Sequence, residues 1–192
     1  LGRRRAARIL AILIVMSVGT TPVLAQNIEE RAQICSACHG ENGVPQETTT
    51  PIIWGQHQGY TYIQLRDYQR GTRKDERMTA IVADLDRKDM LPQAEHFSKK
   101  PCPTLHPPQP DEATTMRALR ANVAVNCPGC HLGEYQGDGT VPRLTGQSAD
   151  YMSKTIAQFR TRERANNPGM SDLMIATSPD DLAALVTYLA GR

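Results

Sequence analysis

Cys35-Ser36-Ala37-Cys38-His39 returns as Cys127-Pro128-Gly129-Cys130-His131, 92 positions further along the chain. Other residues repeat with it. Pro51-Ile52-Ile53-Trp54-Gly55-Gln56 is matched by Pro142-Arg143-Leu144-Thr145-Gly146-Gln147, Tyr60 by Tyr151, Met78 by Met170, and Asp89 by Asp181. Each Met follows its motif histidine by 39 residues. Self-similarity sustained over so long a stretch means two copies of one folding unit. Between the copies runs Pro101-Cys102-Pro103-Thr104-Leu105-His106-Pro107-Pro108-Gln109-Pro110, whose prolines cannot continue a helix and favour an extended connection. The expected organisation is a first domain at 26–100, a linker at 101–112 and a second domain at 113–192.

The first 25 residues stand apart. They hold Arg3, Arg4, Arg5 and Arg8 but no acidic residue, then an apolar run from Ile9 to Val18, then Val23-Leu24-Ala25. This is the order of an export signal with cleavage after Ala25, and the run is too short for a membrane-spanning helix. An uncleaved N-terminal anchor is the other reading. The expected location is the periplasm, with peripheral membrane association compatible with either. Of the 22 basic residues only 18 then remain, against 20 acidic ones. A nucleic-acid binder is excluded by that balance, and disorder by the recurrence of apolar residues.

Within each copy the pattern is helical, with no sustained period-2 alternation. Helices are expected at Ile28–Cys35, Tyr60–Arg70, Thr115–Asn126 and Tyr151–Arg160. The last helix starts at Ser178, with Pro179 at N1 and Asp181 at N3. Its counterpart should begin near Asp86, with Pro92 kinking or delaying it. The fold class is all-α, in two small lobes.

C-x-x-C-H has a mechanical meaning. Two thiols on one helical turn can add to the vinyl groups of one haem, and the next residue then offers its imidazole to the iron. Paired C-x-x-C zinc sites need no adjacent histidine, and a dithiol redox site needs one motif in a βαβ setting. Structural disulfides leave both histidines unexplained. The expectation is therefore two covalently attached haem c groups, on Cys35 and Cys38 and on Cys127 and Cys130, with His39 and His131 on the irons. A soft thioether suits the opposite face, and repeat spacing favours Met78 and Met170. Met90 and Met174 stay open as alternatives, although neither has a methionine at the repeat position. With both axial positions filled, the iron has no open site for substrate, which points to electron transfer rather than catalysis.

On these residues the chain resembles the dihaem class I cytochromes c, and most closely the cytochrome c4 family. The resemblance spans both lobes, 27–98 and 116–192, and rests on Cys35 to Gly40, Gly55-Gln56, Gly146-Gln147 and the Met-to-Asp segments. It implies two tandem class I cytochrome c domains, each wrapped round one haem, facing each other and exchanging electrons. It further implies that the carbonyls of Pro51 and Pro142 accept the second ring N–H of each proximal imidazole. Leu132 departs from the pattern, standing where the first motif has Gly40, and His96 stands where the second lobe has Tyr188. The family suggests redox protein partners: a periplasmic donor and a membrane-bound acceptor such as a terminal oxidase. The other function class is the non-catalytic haem subunit of a larger enzyme, for example a flavocytochrome c sulfide dehydrogenase. A dihaem peroxidase is weaker, since it needs one displaceable axial ligand.

Aromatic residues make up 5% of the chain, and porphyrin plates would supply apolar area that side chains do not. Ile53, Trp54, Tyr60, Leu65, Leu85 and Phe97 are expected around one haem, and Leu144, Tyr151, Ile156, Phe159 and Leu185 around the other. Cys102 reads as a free thiol, and His57 and His106 as solvated loop residues. His96 is placed on a helix surface. Arg70, Arg73, Lys74 and Arg77 are read by default as a solvated basic loop, with haem propionates or a partner as the alternative.

Overall fold

The computed structural model describes residues 28–192; the expected export segment, 1–25, lies outside the described residues. The first half contains α1 (Ile28–His39), α2 (Gln58–Gln69), α3 (Glu76–Val82) and α4 (Arg87–Ser98). The second contains α5 (Glu112–Val125), α6 (Pro128–His131), α7 (Ala149–Arg160), α8 (Pro168–Ala176) and α9 (Pro179–Ala190). Among the described residues there is no strand, only an isolated bridge between Asp138 and Val141. Helices pack chiefly within their own half: α1 and α2 on α4, α5 and α7 on α9. The second-half core gathers Ala118, Ala121, Phe159, Met174, Leu182 and Leu185.

The helix starts follow from capping chemistry. Ser178 Oγ accepts the Asp181 amide at 3.2 Å, with Pro179 at N1, as the sequence predicts. In the first half Asp86 and Asp89 form a reciprocal capping box. That box offsets the expected effect of Pro92. The helix starts at Arg87 without delay and runs through the proline to Ser98.

Two short helices, α3 and α8, stand beside runs whose polar composition reads as loop, and they carry the repeat methionines. Met78 and Met170 each occupy the third helical position. The Asp75 carboxylate accepts the Met78 amide at 3.2 Å, and the Asn167 side chain accepts the Met170 amide at 3.1 Å. A capping side chain three residues ahead is a local signal, so both starts were readable in the sequence.

Leu132 takes φ 65° and ψ 172°, a backbone region that belongs to glycine. Gly40 at the matching place has φ 90°, and a Cβ there would lie 2.2 Å from the Val44 carbonyl oxygen. The turn after the motif histidine thus has a positive φ in both lobes, without strain only in the first.

Candidate functional site

Both motif histidines are buried, each 6% exposed. His39 closes α1, and its Nδ1 donates to the Pro51 carbonyl at 2.8 Å; His131 closes α6 and donates to Pro142 at 2.9 Å. A carbonyl only accepts, so the proton is on Nδ1 and the Nε2 lone pair is left available to a metal. Burial lowers the pKa of both rings and keeps them neutral, as metal ligation requires. Cys35 and Cys127 are half-buried, Cys38 and Cys130 exposed, and none of the four is in a disulfide. Desolvation pushes the Cys35 thiol up to about 11 and raises Cys127 as well. A redox-active dithiol needs the opposite shift. No three His, Cys, Asp or Glu side chains converge as metal ligands among the described residues, so the zinc arrangement is not assembled.

Met78 and Met170 are half-buried, whereas Met90 and Met174 are 2% and 5% exposed. Met174 belongs to the buried core cluster of the second half, and Met170 packs against that cluster. Of the expected haem-facing side chains, Phe97, Phe159 and Leu185 are buried and the other eight half-buried. Phe159 and Leu185 lie in the core cluster of the second half.

The seam between the halves holds what sequence reasoning missed. Arg73 is 6% exposed, not part of a solvated loop as expected by default. Its guanidinium donates to Gln64 Oε1 at 2.9 Å and, across the seam, to Tyr151 OH at 2.9 Å, and it stacks on Tyr68 with Cζ 4.5 Å from the ring centre. Arg164, also 6% exposed, reciprocates by donating to Tyr60 OH at 3.1 Å and stacks on Phe159 at 4.5 Å. The repeat offset could have shown this, because Arg73 and Arg164 keep the same spacing from Tyr60 and Tyr151. Arg70, Lys74 and Arg77 are exposed, as expected. His57 is not a solvated loop residue: it is half-buried, and its Nε2 is 2.8 Å from the Gln136 carbonyl of the other half. His96 is half-buried edge-on to Phe97, and His106 is exposed. Cys102 is a free thiol beside the turns at Gly55 and Gly146.

This seam is rich in donors and poor in acceptors. Gln64 Oε1 receives three N–H groups, from Arg73, Arg164 and Asn166, although a carbonyl oxygen has two lone pairs. Asp67 is the buried carboxylate nearby, taking Asn166 Nδ2 at 2.9 Å and the Arg66 guanidinium. Two buried guanidiniums beside one buried carboxylate leave excess positive charge. The Trp54 indole N–H, packed beside Gly43, is buried without an acceptor. Anionic groups at the edge of an apolar plate, such as haem propionates, would balance the charge of Arg73 and Arg164 and give the Trp54 indole an acceptor, so the residues present fit the group.

The cytochrome c family profile matches residues 120–192. The chain is 32% identical to cytochrome c4 of Azotobacter vinelandii over 179 residues, covering 84% of this chain and 85% of that protein. It is 30% identical to a thiosulfate dehydrogenase electron acceptor of Stutzerimonas stutzeri, covering 83% and 79%. The crystal structure of reduced recombinant cytochrome c4 from Pseudomonas stutzeri superposes with a TM-score of 0.74 at 27% identity, over 87% of this chain and 99% of that one. A fold that is all-helical among the described residues, with two C-x-x-C-H motifs whose histidines are buried, defines a class I c-type cytochrome, an electron-transfer protein with covalently bound haem c. Within that class the chain belongs to the cytochrome c4 family.

Proposed function

We propose that residues 26–100 and 113–192 form two haem domains joined by the linker 101–112. One haem would be attached through Cys35 and Cys38 with His39 and Met78 as axial ligands, the other through Cys127 and Cys130 with His131 and Met170. Haem supplies the one-electron couple. The protein residues hold each imidazole in one tautomer, exclude water from the proximal side and offset the propionate charge. A neutral imidazole and an uncharged thioether would be the ligands offered to the iron, a pair that raises its potential. The observation that carries this reading is the matched pair of devices in the two lobes. Each has a buried histidine fixed by a proline carbonyl and a methionine fixed by a capping side chain 39 residues on.

The protein would act in the periplasm as an electron carrier between a respiratory donor and a membrane acceptor such as a terminal oxidase. The relative named as a thiosulfate dehydrogenase electron acceptor supports an exported redox enzyme as donor. Among the described residues no helix is long and apolar enough to cross a membrane. The second reading, a haem subunit of a larger oxidoreductase, draws on Met116, Leu119 and Val123, exposed along α5 at 47%, 38% and 82%. Purification of the native complex separates the two. A pyridine haemochrome assay should give two haems per chain, and Met78→Ala and Met170→Ala should each turn one haem high-spin. A variant that leaves both haems low-spin refutes the ligand assignment in that lobe.

A further inference from the structure

We propose that Gln56 and Gln147 are positioning residues that tune the proximal histidine of the opposite lobe, so that each haem's reduction potential is set in part from across the seam. The inference rests on His39 and His131 being the proximal ligands.

The peptide unit joining Pro51 to Ile52 is hydrogen-bonded at both ends. Its carbonyl accepts His39 Nδ1–H at 2.8 Å, and its N–H donates to Gln147 Oε1 at 2.9 Å. Gln147 Nε2 returns a bond to the Ile52 carbonyl at 3.0 Å, and Gln147 Oε1 also takes the Ser148 amide at 3.0 Å. The second lobe repeats the arrangement. The Pro142 carbonyl accepts His131 Nδ1–H, and the Arg143 N–H donates to Gln56 Oε1 at 3.0 Å. Gln56 Nε2 then donates to the Arg143 carbonyl at 3.1 Å, and Gln56 Oε1 accepts the His57 amide at 3.0 Å. Both glutamines are 5% exposed. Buried amides this fully paired hold the two proximal segments in one register.

Hydrogen bonds in series polarise one another. Donation by the Ile52 N–H raises the negative charge on the Pro51 oxygen, and that oxygen pulls harder on the His39 Nδ1 proton. The imidazole becomes a stronger electron donor through Nε2 and favours the oxidised iron. Gln147 thereby lowers the potential of the haem on His39, and Gln56 does the same for the haem on His131. The two clasps are unequal. Ile52 is 1% exposed, while Arg143 is half-buried, and its guanidinium donates to the Trp54 carbonyl at 3.0 Å. The drier clasp, Gln147 on Ile52, exerts the larger effect.

The test uses the haem-loaded, full-length protein with each haem resolved by paramagnetic NMR during a potentiometric titration. Gln147→Leu is expected to raise the midpoint of the His39 haem by a roughly threefold change in its oxidised-to-reduced ratio, about 28 mV for a one-electron couple. The His131 haem should move less. Gln56→Leu should show the reverse pattern with a smaller shift. Amide exchange should accelerate at Ile52 in the first variant and at Arg143 in the second. Gln147→Glu and Gln56→Glu keep an acceptor oxygen and should hold or lower the same midpoints; they carry the test if the leucine variants do not fold. Equal shifts of both haems, a larger shift in the substituted glutamine's own lobe, or unchanged exchange at Ile52 overturns the inference. A haem count below two, or loss of histidine ligation in the unsubstituted protein, overturns the ligand reading instead.

Discussion

Tyr151→Phe removes one hydroxyl from the seam and leaves the ring. The hydroxyl accepts Arg73 Nη2 at 2.9 Å, between residues 78 positions apart. A hydrogen bond to a charged group contributes about 1.5–3 kcal/mol. Arg73 would keep its 2.9 Å bond to Gln64 and its stack on Tyr68, so its charge is not stranded. We therefore expect a loss near the lower end, about 2 kcal/mol, or roughly a thirtyfold change in the folding equilibrium. Guanidinium denaturation, followed on the haem absorbance, should show a midpoint about 0.5 M lower if m is roughly 4 kcal/mol/M. Arg73→Leu alone also removes the Gln64 bond and the stack, so it should cost more. The double variant isolates the cross-seam term, and its coupling energy should be about 1.5–2 kcal/mol. A coupling below about 0.5 kcal/mol would mean that this contact does not hold the lobes together.

Leu132→Gly should stabilise the protein by about 1 kcal/mol or more in a thermal melt, because glycine takes φ 65° and ψ 172° without strain; a loss of stability contradicts the assigned backbone. Gly59→Ala would put a Cβ 2.8 Å from the Gly139 carbonyl oxygen of the other lobe, and Tyr60 N–H already donates to that oxygen at 3.1 Å. The cost should be about 1–3 kcal/mol, and an unshifted denaturation midpoint would show that the lobes do not meet there. Tyr151 offers a pH test. Burial acts to raise its pKa, but the Arg73 and Arg164 guanidiniums outweigh it and pull the phenol down to about 7. Propionate anions held by those guanidiniums would favour the neutral phenol, so on this reading Tyr151 should ionise well above 7 in the haem-loaded protein. Tyrosinate absorbance rising near pH 7, and absent from Tyr151→Phe, would show that the propionates lie elsewhere.

The local features were legible because their causes are local. A thiol–x–x–thiol–imidazole turn, a serine cap before a proline and a repeat at fixed spacing all lie within a few residues or follow from self-similarity. The helices carrying Met78 and Met170 are also announced, by Asp75 and Asn167, inside runs whose polar composition by itself reads as loop. Pro92 misled for a related reason. Its effect on the helix start depended on how strongly Asp86 and Asp89 fix that start.

Arg73, His57 and the two glutamines are different. The immediate neighbours of Arg73 do not set it apart from Arg70 or Lys74, which are exposed, and only its repeat partner Arg164 does; it is buried because Tyr151 and Gln64 stand opposite. Gln56 and Gln147 appeared in the sequence only as members of a turn, and their partners lie 87 and 95 residues away. The chain alone thus pointed to the chemistry, because the thiol–x–x–thiol–imidazole motif is local and its repeat carries the matched methionines. Tertiary structure decided how the two units meet, because charge burial and hydrogen-bond pairing across a seam depend on residues that only folding brings together.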